Sequence, residues 1–244
     1  MYVLCVGLHR SGSTWQYQVA SDLVERHYGG RRIGFTGPPL PPDDGWSVAK
    51  WHDPAPDFAR LLGAGRARAL YCYRDLRDVA FSLMHKTGET FDEMIAARRL
   101  ETSLAADAFW TAQPNTLIAR YEDVVRSPGT AIERIAAMLG IELDISGVLD
   151  LMCRYSLDAN TRRAAQVAAL AADQGVNLAD PANAFAHDPE SLLHWNHIRS
   201  GSVGGWQEVA TPEQRRQLAA TVGQWLISRG YEQDLSWTGH AGTP

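Results

Sequence analysis

Residues 3–15, VLCVGLHRSGSTW, constrain this chain more than any other stretch. The apolar run over residues 2–6 predicts a buried strand, and residues 7–14 form a glycine-spaced turn rich in hydroxyls. Helix formers and spaced apolar positions over residues 15–28 predict a helix. A strand feeding such a turn into a helix N-terminus makes an anion cradle, because backbone N–H groups and the helix dipole converge on one spot. The spacing nearly fits the nucleotide-binding pattern G-x4-G-K-[ST], but Ser13 stands where that pattern has its lysine. The cation is instead Arg10, two residues before Gly12. That displacement narrows the phosphate chemistry the loop can support.

Strands and helices alternate along the rest of the chain. Residues 32–35, 46–51, 67–73 and 116–119 read as strands, and residues 56–62, 75–86, 91–112, 128–139, 145–155 and 161–172 as helices. Asp75 is placed to cap the helix it opens, with Leu76, Val79, Ala80 and Leu83 as the apolar stripe. Thr211 and Pro212 open a last helix running to about Arg229. Four prolines make residues 37–44 a stiff loop, residues 173–197 read as a long loop or flap, and residues 236–244 as a loose tail. The alternation predicts one α/β domain over residues 1–244, with a mainly parallel central sheet flanked by helices. Ligands are then expected at the C-terminal ends of the strands.

Composition excludes several kinds of partner. A formal net charge of −5 argues against general nucleic-acid binding. No apolar run is long enough to cross a bilayer, so no membrane partner is expected. A strand starting at Tyr2 leaves no room for a cleavable signal, which makes the cytoplasm the expected compartment. Cys5, Cys72 and Cys153 lie in apolar contexts without metal-ligand spacing and read as buried thiols.

Arg10-Ser11-Gly12-Ser13-Thr14-Trp15 matches the pattern [KR]-[SA]-G-[ST]-[ST]-W position by position, and in it the chain resembles the sulfotransferases that use 3′-phosphoadenylylsulfate (PAPS). Arg74, Asp78 and Ser82 fall on that family's R-[DN]-x-[RK]-D-x-x-x-S signature. The physics agrees, since a planar guanidinium at a strand end and a hydroxyl two turns later can grip one phosphate. Arg77 and Asp78 themselves read as ion-pairing residues on a solvated helix face. Arg199, Gly201, Gly204 and Trp206 match R-K-G-x-x-G-[DE]-W, with Ser200 in place of the lysine and Gly205 in place of the acidic residue. Lys50-Trp51-His52 resembles the K-T-H element, and Tyr121-Glu122-Asp123 the Y-E-D element. The pieces follow the family's order from residue 2 to about residue 215.

The resemblance implies a P-loop-like sulfotransferase fold and transfer of a sulfuryl group from PAPS to a hydroxyl or amine of a small-molecule or carbohydrate-like acceptor. Adenosine 3′,5′-bisphosphate (PAP) would be released. It implies His52 as the base, Arg10 at the bridging oxygen and 5′-phosphate, and Lys50 at the sulfuryl group. Ser11, Gly12, Ser13 and Thr14 would surround the 5′-phosphate, with Trp15 and Tyr121 at the adenine end. Arg74, Ser82 and Arg199, with Ser200 and Gly201, would hold the 3′-phosphate. No metal is expected, because the transferred group carries less charge than a phosphoryl group and the sequence shows no clear acidic cage. Of the family's dimer element only Thr211 agrees, which leaves the oligomeric state open. Two other readings stay open: a P-loop small-molecule kinase, which the serine at position 13 disfavours, and a nucleotide-binding module without transfer activity, which has no need of His52.

Overall fold

The expected first strand is β1 (Tyr2–Gly7), and every residue of it is buried. The structure, a computed structural model, describes residues 1–42, 45–180, 183, 185–198 and 201–238. Helix α1 (Ser13–Tyr28) follows the glycine turn, then β2 (Arg31–Phe35), β3 (Ser47–Lys50), α2 (Pro56–Gly63), β4 (Ala67–Tyr73) and α3 (Leu76–Thr87). Next come α4 (Phe91–Ala96), α5 (Arg99–Thr111), β5 (Thr116–Arg120), α6 (Tyr121–Arg126), α7 (Pro128–Leu139), α8 (Ile145–Arg154) and α9 (Leu157–Asp173). The short α10 (Trp206–Val209), α11 (Pro212–Ser228) and a 3-10 turn over Ser236–Thr238 close the described chain.

All four strand pairings are parallel, in the order β2-β3-β1-β4-β5. From β1 the chain crosses to the edge at β2, returns inward to β3, and then passes β1 to add β4 and β5 on the other side, so the connections leaving β1 and β4 run to opposite sides. Its direction of growth therefore reverses beside β1, and such a reversal opens a crevice at the strand's C-terminal end. Alternate residues of β1 feed two cores on opposite faces. Leu4 and Val6 pack with α2, α3, α5 and α11 residues such as Phe58, Val79, Trp110 and Leu218. Val3 and Cys5 pack with α1, α7 and α8 residues such as Val19, Leu23, Ile135 and Leu151. Burial on both faces explains why this strand reads as an unbroken apolar run.

Several boundaries differ from the sequence reading, for identifiable reasons. Helix α1 begins two residues earlier than expected, behind Gly12 in the left-handed region at φ 93. The expected helix 91–112 is two helices, α4 and α5, broken at Arg98 (φ 53). The run Ala96-Ala97-Arg98-Arg99 carries no local breaker; the bend instead lets Met94 and Leu100 both reach the core. Helix α9 begins at Leu157 rather than at 161, because Ser156 caps it by accepting from the Ala159 N–H. After the strand expected over 116–119, which runs to Arg120, the chain coils at once into α6, a helix that the sequence reading did not include. Cys5 and Cys72 are buried as expected, but Cys153 is exposed. It lies about 200° around α8 from buried Leu151. Residues 236–238, assigned to a loose tail, form the 3-10 turn, with Thr238 buried and Trp237 against the core. Among the described residues no helix is long and apolar enough to cross a membrane.

Candidate active site

Strand register assembles the site. Gly7 of β1 lies beside Cys72 of β4, Cys5 beside Lys50 of β3, and Tyr73 beside Arg120 of β5. The residues just past this edge, from Leu8 to Thr14, His52, Arg74 and Tyr121, are thus brought to one end of the sheet by backbone pairing alone. Gly7 is held by sterics: a Cβ there would stand 2.5 Å from the Cys72 carbonyl oxygen. The Leu8 N–H donates to that same oxygen at 3.0 Å, and the Ser11 hydroxyl reaches it at 2.8 Å. Ser11 is fully buried and its Oγ also reaches the Leu8 carbonyl, so its side chain ties the loop to β4. What Ser11 can offer an anion is its backbone. Arg10 itself sits at φ 64, a left-handed conformation that turns its side chain out of the loop.

No side chain caps the N-terminus of α1. The first-turn N–H groups have no intrahelical acceptor, so they remain available to an anion at the positive end of the dipole. Ser13 and Thr14 are buried in this turn. A Cβ on Gly12 would come within 3.1 Å of the Tyr121 ring, so the glycine lets the tyrosine lie against the loop. Trp15 is partly buried and donates its indole N–H to the Tyr155 carbonyl at 3.1 Å.

Arg10 and Arg74 converge. Arg10 Nε donates to Ser82 Oγ at 2.9 Å and Nη2 to the His197 carbonyl at 2.5 Å. Arg74 donates to the Arg10 carbonyl at 3.1 Å and to the Ser202 carbonyl at 2.8 Å, and lies 4.5 Å over the Tyr121 ring. The Tyr121 hydroxyl in turn donates to the Gly201 carbonyl at 3.3 Å. Arg10 Nη1 and Arg74 Nε are buried and have no hydrogen-bond partner among the described residues. Burial, reinforced by the neighbouring Arg74 charge, lowers the Arg10 pKa to about 10. Arg74 has Asp78 as a counter-ion, but Arg10 has no carboxylate among the described residues. A desolvated cation with unspent donors around it is costly unless a further anion joins, and these donors suit phosphate oxygens. Of the residues expected at the 3′-phosphate, Arg74, Ser82 and Gly201 meet here. Arg199 and Ser200 lie outside the described residues, although His197, Gly201 and Ser202 beside them bracket the same cleft.

On the β3 side, His52 has one consistent tautomer. Its Nδ1 lies 2.8 Å from the Gly7 carbonyl, which can only accept, so Nδ1 carries the proton and Nε2 the lone pair. Lys50 Nζ donates to that lone pair at 3.0 Å. Loss of solvation, then the Lys50 and His9 charges, hold the His52 pKa well below its ordinary value. Loss of solvation, then Lys86, lower Lys50 to about 7. His52 is neutral at pH 7 and Lys50 is poised between its two forms. Phe35 and His9 lie beside the imidazole, at ring separations of 5.8 Å from Phe35 and 4.2 Å from His9, and Trp51 packs on Phe35 at 5.1 Å.

Sequence reasoning misplaced or missed four residues. Arg77 and Asp78, read as a solvated face, are buried. Arg77 pairs with Asp75 and Glu232 and stacks over Trp206 and Trp237. Asp78 accepts from the Gly204 N–H at 2.8 Å and the Trp206 N–H at 3.0 Å, and pairs with Arg74 at 3.3 Å. It therefore anchors the glycine loop to α3. His197 and Lys86 were not singled out. His197 holds Arg10 through its carbonyl and brings Nε2 within 3.5 Å of Thr14 Oγ1.

A P-loop-like sulfotransferase fold accounts for this sheet order and for a cradle without a loop lysine. The chain belongs to the sulfotransferase domain family, whose model matches residues 46–230. The N-terminal loop precedes that span, so its assignment rests on the geometry above. Among solved structures, mouse sulfotransferase SULT7A1 complexed with PAP aligns with a TM-score of 0.68 at 17% identity, over 99% of this chain and 88% of that one. Retinol dehydratase in a complex with retinol and PAP gives 0.61 at 20% identity, over 92% and 81%. The same enzyme with androsterone and inactive cofactor PAP gives 0.61 at 18%, over 92% and 80%. At these identities the likenesses establish the fold. A search of curated proteins gives no match.

Proposed function

We propose that this sulfotransferase moves a sulfuryl group from PAPS to a hydroxyl of a small-molecule acceptor, leaving PAP. One observation carries the reading: Arg10 and Arg74, from opposite sides of the switch point, meet at Ser82 and the 197–202 segment with two buried guanidinium nitrogens unspent. That donor set fits a nucleotide with phosphate at two positions of its ribose. Arg10, the first-turn N–H groups and Thr14 would hold the 5′ side; Arg74 and Ser82 would hold the 3′ side. PAPS, when bound, supplies a sulfuryl group on a phosphosulfate anhydride.

The chain's own residues prepare the acceptor. The Gly7 carbonyl fixes the His52 ring and keeps Nε2 unprotonated, the form required of a base. Lys50 donates to that lone pair. An anion beside Lys50 gives its ammonium a second acceptor and raises its pKa, which frees Nε2 to take a hydroxyl proton. Phe35, with Trp51 packed on it, presents an apolar edge beside the imidazole. The remaining contribution is alignment by preorganised charge. The kinase reading lacks support at the residue that matters, because Ser13 is buried in the first helical turn. A binding module without chemistry gives no reason for the orientation of His52.

The test is to incubate the protein with PAPS and hydroxyl compounds and follow sulfonated products by mass spectrometry, alongside His52→Ala. The variant is expected to keep PAP binding and lose about 10²–10⁴-fold in turnover. Turnover equal to wild type would remove His52 from the base role, and failure to bind PAP would remove the whole reading.

A further inference from the structure

Of the chain's 23 lysines and arginines only two are lysines, Lys50 and Lys86. Lys50 is beside the base. Lys86 lies on α3 one turn after Ser82, the residue that accepts from Arg10. Residues four apart share a helix face, so Lys86 extends the same wall outward from the nucleotide cleft. Phe185 and His194 lie on its far side. Lys86 Nζ sits 5.3 Å from the centre of the Phe185 ring, Phe185 is 5.9 Å from His194, and His194 is 4.9 Å from His197 over Thr14. On the opposite wall Phe35, 53% exposed, lies over Lys50 and beside His52. Phe185 is 61% exposed. Two open aromatic rings thus flank the entrance to the base, and each has a lysine against it.

Lys86 makes no hydrogen bond or ion pair among the described residues. Its charge is felt at Lys50, His9, His52, His194 and His197. Nearby carboxylates do not neutralise it: Glu89 is held by Arg99 at 2.6 Å, and Asp53 acts on His9. Loss of solvation, then Arg10, lower Lys86 to about 8. His194 Nδ1 across from it is buried and also lacks a partner among the described residues. A neutral acceptor entering here would strip water from Lys86 and return nothing, whereas an acceptor carrying negative charge supplies the missing counter-ion. A lysine rather than an arginine fits this task, since a point charge on a flexible stem follows anions of varied shape.

We propose that the acceptor is itself an anion: a hydroxyl compound whose carboxylate or ester sulfate is held by Lys86 while its apolar body lies between Phe35 and Phe185. This inference rests on the sulfuryl-transfer reading. It makes Lys86 a specificity-determining residue for the acceptor, separate from the nucleotide's ligands.

The experiment titrates PAP-loaded protein calorimetrically with 4-hydroxyphenylacetate, its methyl ester and tyramine, which share a phenol and differ in charge. The acid is expected to bind about tenfold tighter than the ester, with tyramine weakest. Lys86→Gln should erase the difference without changing PAP affinity, and Lys86→Arg should restore most of it. With PAPS as donor, the same pattern should fall on KM rather than kcat. No preference for the acid, or no binding of it, overturns the proposal. So does a loss of PAP affinity in Lys86→Gln, which would make Lys86 a nucleotide ligand. Wild-type protein that fails to bind PAP overturns both readings together, whereas normal PAP binding without charge discrimination overturns this one alone.

Discussion

Replacing Lys50 with methionine should stabilise the empty protein while abolishing its activity. Lys50 is 5% exposed and, among the described residues, has no carboxylate partner and donates only to His52. Unfolded, it binds a proton below the ordinary lysine value of 10.5; folded, only below about 7. The unfolded state therefore holds the extra proton between these values, and the folded state is penalised. The penalty is complete below about pH 7, shrinks as pH rises, and vanishes above 10.5. At roughly 1.4 kcal/mol per pH unit, its full size is about 5 kcal/mol. Methionine keeps the apolar stem but leaves His52 Nε2 without a donor, which costs about 1–3 kcal/mol. At pH 7 the variant should be more stable by roughly 2–4 kcal/mol, and near pH 10.5 less stable by about 1–3 kcal/mol, with a crossing near pH 9. Urea unfolding of both proteins across pH 6–10.5 reads the difference directly. A variant less stable than wild type at pH 7, or a difference that does not change with pH, would refute the claim that the cleft holds an uncompensated cation. Such stored instability is common where a site is built for a charged ligand rather than for the empty fold.

Other predictions follow from the same contacts. Gly7→Ala should lose about 1–3 kcal/mol of stability in chemical denaturation, because its Cβ would meet the Cys72 carbonyl at 2.5 Å; an unchanged midpoint would mean that β1 and β4 do not approach so closely there. Asp78→Ala orphans the Gly204 and Trp206 N–H groups and should cost about 2–4 kcal/mol, with weaker PAP binding by calorimetry. Retained stability and affinity would separate the glycine loop from α3. In the free enzyme, kcat/KM should fall as pH rises through about 7 and Lys50 loses its charge. Lys50→Arg, always charged, should move that limb upward, and a limb that stays in place would assign it to another group.

Local patterns revealed what local chemistry determines. An apolar run followed by Gly7, Gly12 and hydroxyls announced β1 and its glycine-spaced loop, and residues 67–73 with Asp75 announced β4 and the capped start of α3. The positions of Arg10, Arg74, Ser82 and His52 followed, because parallel register carries strand ends to a common edge. Arg77 and Asp78 were misread because their partners lie far along the chain: Glu232, Trp237, Gly204 and Trp206. Alternating charges at a helix start look solvated until a distant loop covers them. The break at Arg98 was hidden for the same reason, since tertiary packing overrides a helix-forming run. Lys86 was overlooked because a single lysine has no pattern; its signal was compositional, as one of only two in the chain.

The central claim is that two arginines from different strand ends form one receptor for a doubly phosphorylated ribose. Calorimetric titration of the wild-type protein with PAP and with ADP, each with and without Mg²⁺, tests it most directly. The geometry predicts metal-independent PAP binding at least tenfold tighter than ADP, and loss of that preference in Arg74→Ala, whose side chain would serve the 3′-phosphate. Equal affinity for the two nucleotides, or a preference for ADP that requires Mg²⁺, would contradict it.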